Sequence, residues 1–306
     1  MKLKTKVNRF VWNIIMKTFP KKELYKMHYY KNHKERLNLN NPKCFNEKLY
    51  WLLRYNELYN SDLIKEIYDK NRVRKYVKAK GLEDILIPQI DVFYDVEVDI
   101  NSLPNEFILK FSQGSHNTII CKDKDKLDLL SCKEKFDNWF KAWERDKNNR
   151  FDGFYYSENP SIVCEELLHT ADGKIPDDIK IFCSNGRVLF LYVDIDSIDE
   201  NDKKKQVFQR HCYDEKWNCL PIMFCQPRAD GVKLEKPKNF DKMINIAKKL
   251  SEDFVFVRVD LYNIDGDIKF GELTPMPGMA AKIKPEGFDK WLGMQIKLPN
   301  VKIFDI

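Results

Sequence analysis

The segment that most limits what this chain can fold into lies near its C-terminus and reads FVFVRVDLYNIDGDIKFGELTPMPGM, from Phe254 to Met279. Two apolar runs, Phe254 to Leu261 and Asp267 to Leu273, flank a turn and predict a hairpin. Yet they carry Arg258, Asp260 and Glu272 where a core strand would prefer aliphatic side chains. A carboxylate without a partner is costly in such surroundings, so these acids need a cation. Two neighbouring carboxylates are hard oxygen ligands, suited to Mg²⁺ that also takes phosphate oxygens.

The turn decides whether the two acids can meet. A two-residue turn at Asp265-Gly266 would pair Asp260 with Gly271 and send Glu272 to the other face. A three-residue loop, Ile264-Asp265-Gly266, with Gly266 at a left-handed bulge position, puts both acids on one face as diagonal neighbours. The bulged turn is therefore the expectation.

Upstream, the first sixty residues are helical in pattern. Val7, Val11, Ile14 and Ile15 form a stripe among Lys2, Lys4, Lys6, Arg9 and Lys17, and Pro20 ends that segment. Residues 1–20 suit either a helix packed on the main domain or one resting on an anionic membrane surface. Helices are predicted from Phe45 to Leu58, from about Asp62 to Lys80 with Gly81 as a stop, and from Asn239 to Leu250. Strands are predicted at Ile85 to Ile90, Phe107 to Phe111, Ser161 to Leu168, Ile179 to Phe182 and Val188 to Val193. Asn185-Gly186 is a hairpin signal between the last two. Helices alternating with hairpins argue for an α+β fold with largely antiparallel sheets.

With 306 residues, 43% of them apolar, the chain has material for a large core, and its net charge of +6 does not by itself indicate nucleic acid. The eight cysteines include no CxxC pair and read as reduced thiols of a cytoplasmic protein. Cys212, Cys219 and Cys225 near His211 have zinc-binding residue types without the spacing of a ligand knuckle. No apolar run approaches the ~18 residues of a membrane span. Neither GxGxxG nor GxxxxGK[ST] occurs, so the common nucleotide loops are absent.

Lys110 ends a strand and enters Ser112-Gln113-Gly114-Ser115-His116-Asn117, a small loop whose N–H groups and hydroxyls can meet phosphate. Lys180 alternates with Ile179 and Ile181 and projects to the opposite face. Val163 to Leu168 joins an apolar strand to Glu165 and Glu166, which could serve an adenine edge and a ribose.

In this order the pieces resemble the ATP-grasp superfamily, and more narrowly its branch named after teichuronopeptide synthesis, found among surface-polysaccharide genes. The resemblance runs from Phe45-Asn46-Glu47-Lys48 to Gly293. Its markers include Asp69-Lys70 with Arg74, Leu103-Pro104, Gly114-Ser115, Glu165-Glu166, Asp178 with Lys180, Tyr213-Asp214 with Trp217, and Arg258 to Gly278. It implies ATP between two antiparallel sheets, with Lys110 and Lys180 on the phosphates. Glu165, Glu166 and the chain to Leu168 would form the adenine hinge, and the segment around Lys110 to Ile120, with Gly114 and Ser115, would belong to a mobile lid. Asp260 and Glu272 would hold Mg²⁺, and Arg258 would stabilise the transferring phosphoryl group. Two departures stand out: Gln113-Gly114-Ser115-His116 replaces the usual His-Gly-Ser-Gly, and Thr274 stands where many relatives place a metal-binding asparagine.

The implied activity is an ATP- and Mg-dependent carboxylate–amine ligase working through an acyl-phosphate. Its expected partners are a uronic-acid carboxyl of a surface glycan and a small amine or amino acid. Arg74, Arg210 and Lys282 are candidates for the acceptor carboxylate, since guanidinium groups bind carboxylates bidentately. The alternatives are a kinase at the same nucleotide site and a nucleotide-sugar glycosyltransferase using Asp194-Ile195-Asp196. The expected organisation is a helical extension (1–60), the first part of the grasp domain (61–106), a lid with the hinge (107–168) and a metal-bearing subdomain (169–306). The expected location is the cytoplasm, with the inner membrane face open through residues 1–20.

Overall fold

The structure is a computed structural model describing residues 18–149, 152–195, 197, 205–279 and 281–304; the basic stripe up to residue 17 lies outside them. Helices α1 (Lys21–His33), α2 (Phe45–Tyr59), α3 (Ser61–Tyr68) and α4 (Val73–Ala79) come first, then α5 (Leu129–Asn149), α6 (Phe240–Leu250) and α7 (Phe288–Gln295). Strands β1 (Gln89–Phe93), β2 (Phe107–Phe111), β3 (Thr118–Cys121) and β4 (Ile162–Glu165) form one sheet in the order β1-β4-β2-β3. A second sheet has β5 (Asp178–Ser184), β6 (Arg187–Ile195), β7 (Gln209–Tyr213), β8 (Cys219–Leu220), β10 (Val257–Ile264) and β11 (Asp267–Thr274), ordered β11-β10-β5-β6-β7-β8. A short pair joins β9 (Met223–Phe224) to β12 (Ile283–Lys284). Every pairing of these strands is antiparallel. The α+β expectation holds.

Alternation sorts the faces of the larger sheet. Ile179, Ile181, Val257, Val259 and Leu261 are buried in one core with Met243, Ile244, Ala247 and Leu250 of α6, which contacts β5, β6 and β10. Fully burying such side chains stabilises by about 1.5–3 kcal/mol each. The residues between them, Arg258, Asp260 and Lys180, must then face the opposite side, toward the smaller sheet. A separate core backs that sheet: Phe107, Leu109, Phe111 and Cys164 with Cys132, Phe136 and Trp139 of α5.

The hairpin turn differs from the expectation. Ile264 pairs with Asp267, so Asp265-Gly266 is a two-residue turn with φ of 54° and 100°, the left-handed values such a turn requires. The bulge lies elsewhere: Asp260 pairs with Glu272 while Leu261 pairs with Phe270, so Gly271 is the extra residue. A Cβ on Gly271 would sit 2.9 Å from the Asp260 carbonyl oxygen, which is why this position suits glycine. The two acids share a face as directly opposed neighbours.

Three other expectations need correction. The helix expected over Asp62 to Lys80 is two helices, because the Asp69 carboxylate accepts the N–H groups of Asn71 (2.9 Å) and Arg72 (3.1 Å) and breaks the first one. The strand expected at Ile85 to Ile90 starts only at Gln89, after a 3₁₀ turn at Glu83–Ile85. The long helix α5, with Cys132, Phe136 and Trp139 on one stripe, was not among the expected elements.

Candidate active site

Cross-strand pairing lines up four functional side chains. Glu272 pairs with Asp260, Asp260 with Lys180, and Lys180 with Tyr192, a row running across β11, β10, β5 and β6. Arg258 sits two residues from Asp260 on the same face. Its Nε and Nη2 donate to the two Asp260 oxygens at 2.6 Å each, and Nη2 also donates to Glu272 Oε1 at 2.7 Å. Thr274 Oγ1 donates to the same Glu272 oxygen at 2.9 Å. Lys180 Nζ donates to Asp178 and lies 4.0 Å from Asp260 Oδ2.

Burial sets the electrostatics of this row. Asp260 is 1% exposed, and desolvation pushes its carboxyl up to about 7 against the opposing pull of Arg258 and Lys180. Burial also works to raise Glu272, but Arg258 and Lys70 outweigh it and hold the carboxyl below its ordinary value. Lys180 would be pushed down by burial; Asp178 and Asp260 reverse that and hold its ammonium above the usual lysine value.

The smaller sheet supplies the facing wall. Lys110 Nζ donates to Glu165 Oε2 at 2.7 Å, and Arg74 Nη1 donates to Glu165 Oε1 at 3.1 Å. Lys70 Nζ donates to the Gly114 carbonyl at 2.8 Å, and burial pushes its ammonium down. The cleft between the sheets has a volume of about 410 Å³, within the range of small-molecule sites. Five cations, Lys70, Arg74, Lys110, Lys180 and Arg258, and four carboxylates, Glu165, Asp178, Asp260 and Glu272, line it. In the loop above, Gly114 and His116 both have left-handed φ, 75° and 64°. His116 thus adopts backbone that glycine takes more easily, so its substitution for glycine carries strain but keeps the turn.

The cleft gathers most of the sequence-predicted residues: Lys110, Ser115, Glu165, Lys180, Arg258, Asp260, Glu272 and Arg74 line it. Thr274 joins through Glu272, and Gly114 through Lys70. Glu166 is exposed, its N–H donating to the Pro88 carbonyl at 3.1 Å, and Leu168 is half-buried just beyond. Arg210 and Lys282 do not line the cleft. Arg210 is buried, its Nε donating to Asp194 at 2.6 Å and its guanidinium 3.5 Å from the Tyr192 ring centre, so it packs beside Tyr192 on the same face of the sheet. Lys282 is exposed and meets β9 through its backbone, its carbonyl accepting the Cys225 N–H. Arg74 faces Glu165 rather than Asp260 and Glu272, which places it on the smaller-sheet side of the cleft.

Lys70, Tyr192 and Tyr262 also line the cleft without having been assigned a role. The signal for Tyr192 was its strand alternation opposite Lys180. Lys70 offered only its place after Asp69. Among the described residues no three His, Cys, Asp or Glu side chains gather for a metal. Cys219 Sγ lies 3.7 Å from His211 Nδ1, while Cys212 is buried in the core.

The family model of the TupA-like ATP-grasp proteins matches residues 47–297, most of the chain and every residue lining the cleft. The chain belongs to the TupA-like ATP-grasp family. No protein of curated function matches it. Among solved structures, this TupA-like chain is similar to D-alanine–D-alanine ligase from Bacillus anthracis, at 18% identity and a TM-score of 0.39, covering 70% of this chain and 57% of that one. The ATP-grasp ligase PsnB, solved with a minimal precursor, Mg and ADP, is 15% identical at a TM-score of 0.40, covering 82% and 67%. Phosphoribosylamine–glycine ligase from Thermotoga maritima is 10% identical at 0.42, covering 74% and 54%. The chain spans little more than half the length of the first and third.

Asp260 and Glu272, with the Thr274 hydroxyl beside them, form the hard-oxygen donor set that Mg²⁺ and its waters prefer. The cations opposite are held by carboxylates that phosphate oxygens can replace as partners. The residues of this TupA-like cleft therefore fit a nucleotide with its metal. No described helix is long and apolar enough to cross a membrane.

Proposed function

We propose that this chain is an ATP- and Mg²⁺-dependent carboxylate–amine ligase, acting on a uronic-acid carboxyl of a surface glycan with a small amine or amino acid. The observation that carries the reading is the Arg258 guanidinium chelating Asp260 and Glu272 on one face, with Lys180 beside them in the same sheet and Lys110 on the facing wall. Lys110 and Lys180 neutralise the phosphates, and Glu165 with the chain to Leu168 holds the adenosine end. Asp260, Glu272 and Thr274 would hold Mg²⁺, which when bound would supply charge neutralisation at the transferring phosphate.

In the reaction, an acceptor carboxylate oxygen attacks the γ-phosphorus of ATP. The bond to the β,γ-bridging oxygen breaks and ADP leaves. An amine nitrogen then attacks the acyl carbon, phosphate departs with the C–O electron pair, and the nitrogen loses a proton. Arg258 steadies the charge building on the transferring group. The two buried walls keep water from the acyl-phosphate. The division into helical extension, lid with hinge and metal-bearing subdomain, and a cytoplasmic location, belong to the same reading.

The test is ADP release over a panel of amines and uronic-acid glycans, with products identified by mass. The reading expects an amide and free phosphate, and loss of turnover in Glu272→Gln. A stable phosphoester would make the protein a kinase. Unchanged turnover in Glu272→Gln would remove the assigned metal site.

A further inference from the structure

A second cavity, of about 350 Å³, lies on the other side of the Gly114–Asn117 loop from the nucleotide cleft. Its walls come from α5 and from Tyr68 and Tyr156. Trp139, Ala142, Trp143 and Asp146 fall at helical spacing on one stripe of α5 and all face it. Lower on the same helix, Cys132 and Phe136 continue the stripe as ordinary core under the smaller sheet. The stripe therefore runs past the core it helps to fill and becomes the wall of a cavity.

The cavity abuts the site of chemistry, with Ser115 and Asn117 lining both. A narrow pocket of about 20 Å³ is lined by Lys70, Glu272 and Ser115, which also line the nucleotide cleft, and by Tyr68 and Gly114, which also line the aromatic cavity. Thr274 lines this throat as well. A carboxylate at this junction would stand between the Lys70 ammonium and the Glu272 and Thr274 side chains, while the rest of its molecule extended into the aromatic cavity. The lining suits one class of molecule. Aromatic faces at Trp139, Trp143, Tyr68 and Tyr156 meet a rim bearing Arg145 and Asp146, which are bonded to each other at 2.6 Å. A pyranose ring has apolar C–H faces for aromatic planes and hydroxyls around its edge for such a rim. The Trp143 indole is fixed by its own bond to the Ser157 carbonyl at 3.2 Å, so little ordering remains to be done on binding.

We propose that this cavity is the acceptor subsite: it holds the sugar ring of a uronic acid, whose carboxylate reaches through the throat to Lys70 and Ser115. The inference rests on the ligase reading above and adds the place and residues of acceptor binding. Titration of a glucuronic-acid-containing disaccharide into the full chain, with ADP and Mg²⁺ present, tests it by calorimetry. Trp143→Ala removes a wall and Ala142→Phe fills the space; each should weaken disaccharide binding about tenfold or more. ADP affinity, read separately, should stay within about twofold and reports that each variant is folded. Disaccharide binding undiminished in Ala142→Phe, with ADP binding intact, would overturn the cavity assignment and leave the ligase reading standing. A wild-type chain that binds ADP but not the disaccharide would overturn both this subsite and the glycan part of the reading.

Discussion

Replacing Arg258 with methionine keeps the apolar stem and removes the charge that Asp260 and Glu272 share. Asp260 is 1% exposed and takes both of its short bonds from Arg258, so the change leaves a buried carboxylate with only Lys180, 4.0 Å away. Removing one partner of a buried pair costs about 3–5 kcal/mol. At roughly 2–4 °C per kcal/mol for large domains, the melting temperature should fall on the order of 10 °C near pH 8. The effect should depend on pH in a definite sense. In the folded chain Asp260 titrates at about 7, above the ordinary aspartate value of about 4. Folding therefore takes up a proton within that window, and the stability this group contributes is present below it and lost as pH rises through it. At pH 5.5 Asp260 is largely neutral and needs Arg258 less, so the loss should shrink there. Mg²⁺ should raise the melting temperature of the variant more than that of the wild type, because it supplies the missing positive charge. Differential scanning calorimetry at the two pH values, with and without Mg²⁺, reads all of this. An equal fall at pH 5.5 and pH 8, or no fall at either, would refute the reasoning.

Gly271→Val should impair Mg²⁺-dependent ADP binding and cost about 1–3 kcal/mol of stability, because its Cβ would meet the Asp260 carbonyl and the bulge that aligns the acids would have to shift; binding and melting like wild type would count against it. Gly293→Ala, far from the cleft, should destabilise by at least as much while leaving ADP affinity intact in the folded fraction. There a Cβ would come within 2.1 Å of the Lys43 carbonyl oxygen, where α7 crosses the start of α2, and denaturant titration reads the loss. Asp69→Asn should weaken nucleotide binding with a smaller loss of stability, since the buried Asp69 carboxylate accepts from Gln113 (2.5 Å), Ser112 (3.1 Å) and Ser157 (2.9 Å) and so sets the loop carrying Ser115; ADP calorimetry beside a melting curve separates the two effects.

Much of the fold could be read along the chain because alternation survives in the strands. Phe107 to Phe111 alternates cleanly, and its penultimate residue, on the face opposite buried Phe107, Leu109 and Phe111, is the lysine that lines the cleft. The shared face of Asp260 and Glu272 could also be inferred, since acids placed in apolar strands demand a common cation. The device could not. A glycine before an acid in a strand does not announce a bulge, and only the steric clash at Gly271 shows why it sits there. Helix α5 was hidden by its many charges, although Cys132, Phe136, Trp139 and Trp143 keep helical spacing. The break at Asp69 depends on a side chain capping its own neighbours. Arg210 illustrates a different limit: from the chain alone a strand arginine looks available, and only the structure shows it buried against Asp194 and Tyr192 and outside the cleft lining.

The central claim is that the cleft uses ATP to phosphorylate a carboxylate, and isotope transfer tests it most directly. A uronic-acid acceptor labelled with ¹⁸O in its carboxyl group would be turned over with ATP, Mg²⁺ and an amine, and the released phosphate analysed by mass. The account predicts that each amide formed delivers one carboxyl oxygen to phosphate, so labelled acceptor yields labelled phosphate. Phosphate free of label, formed in step with product, would contradict it.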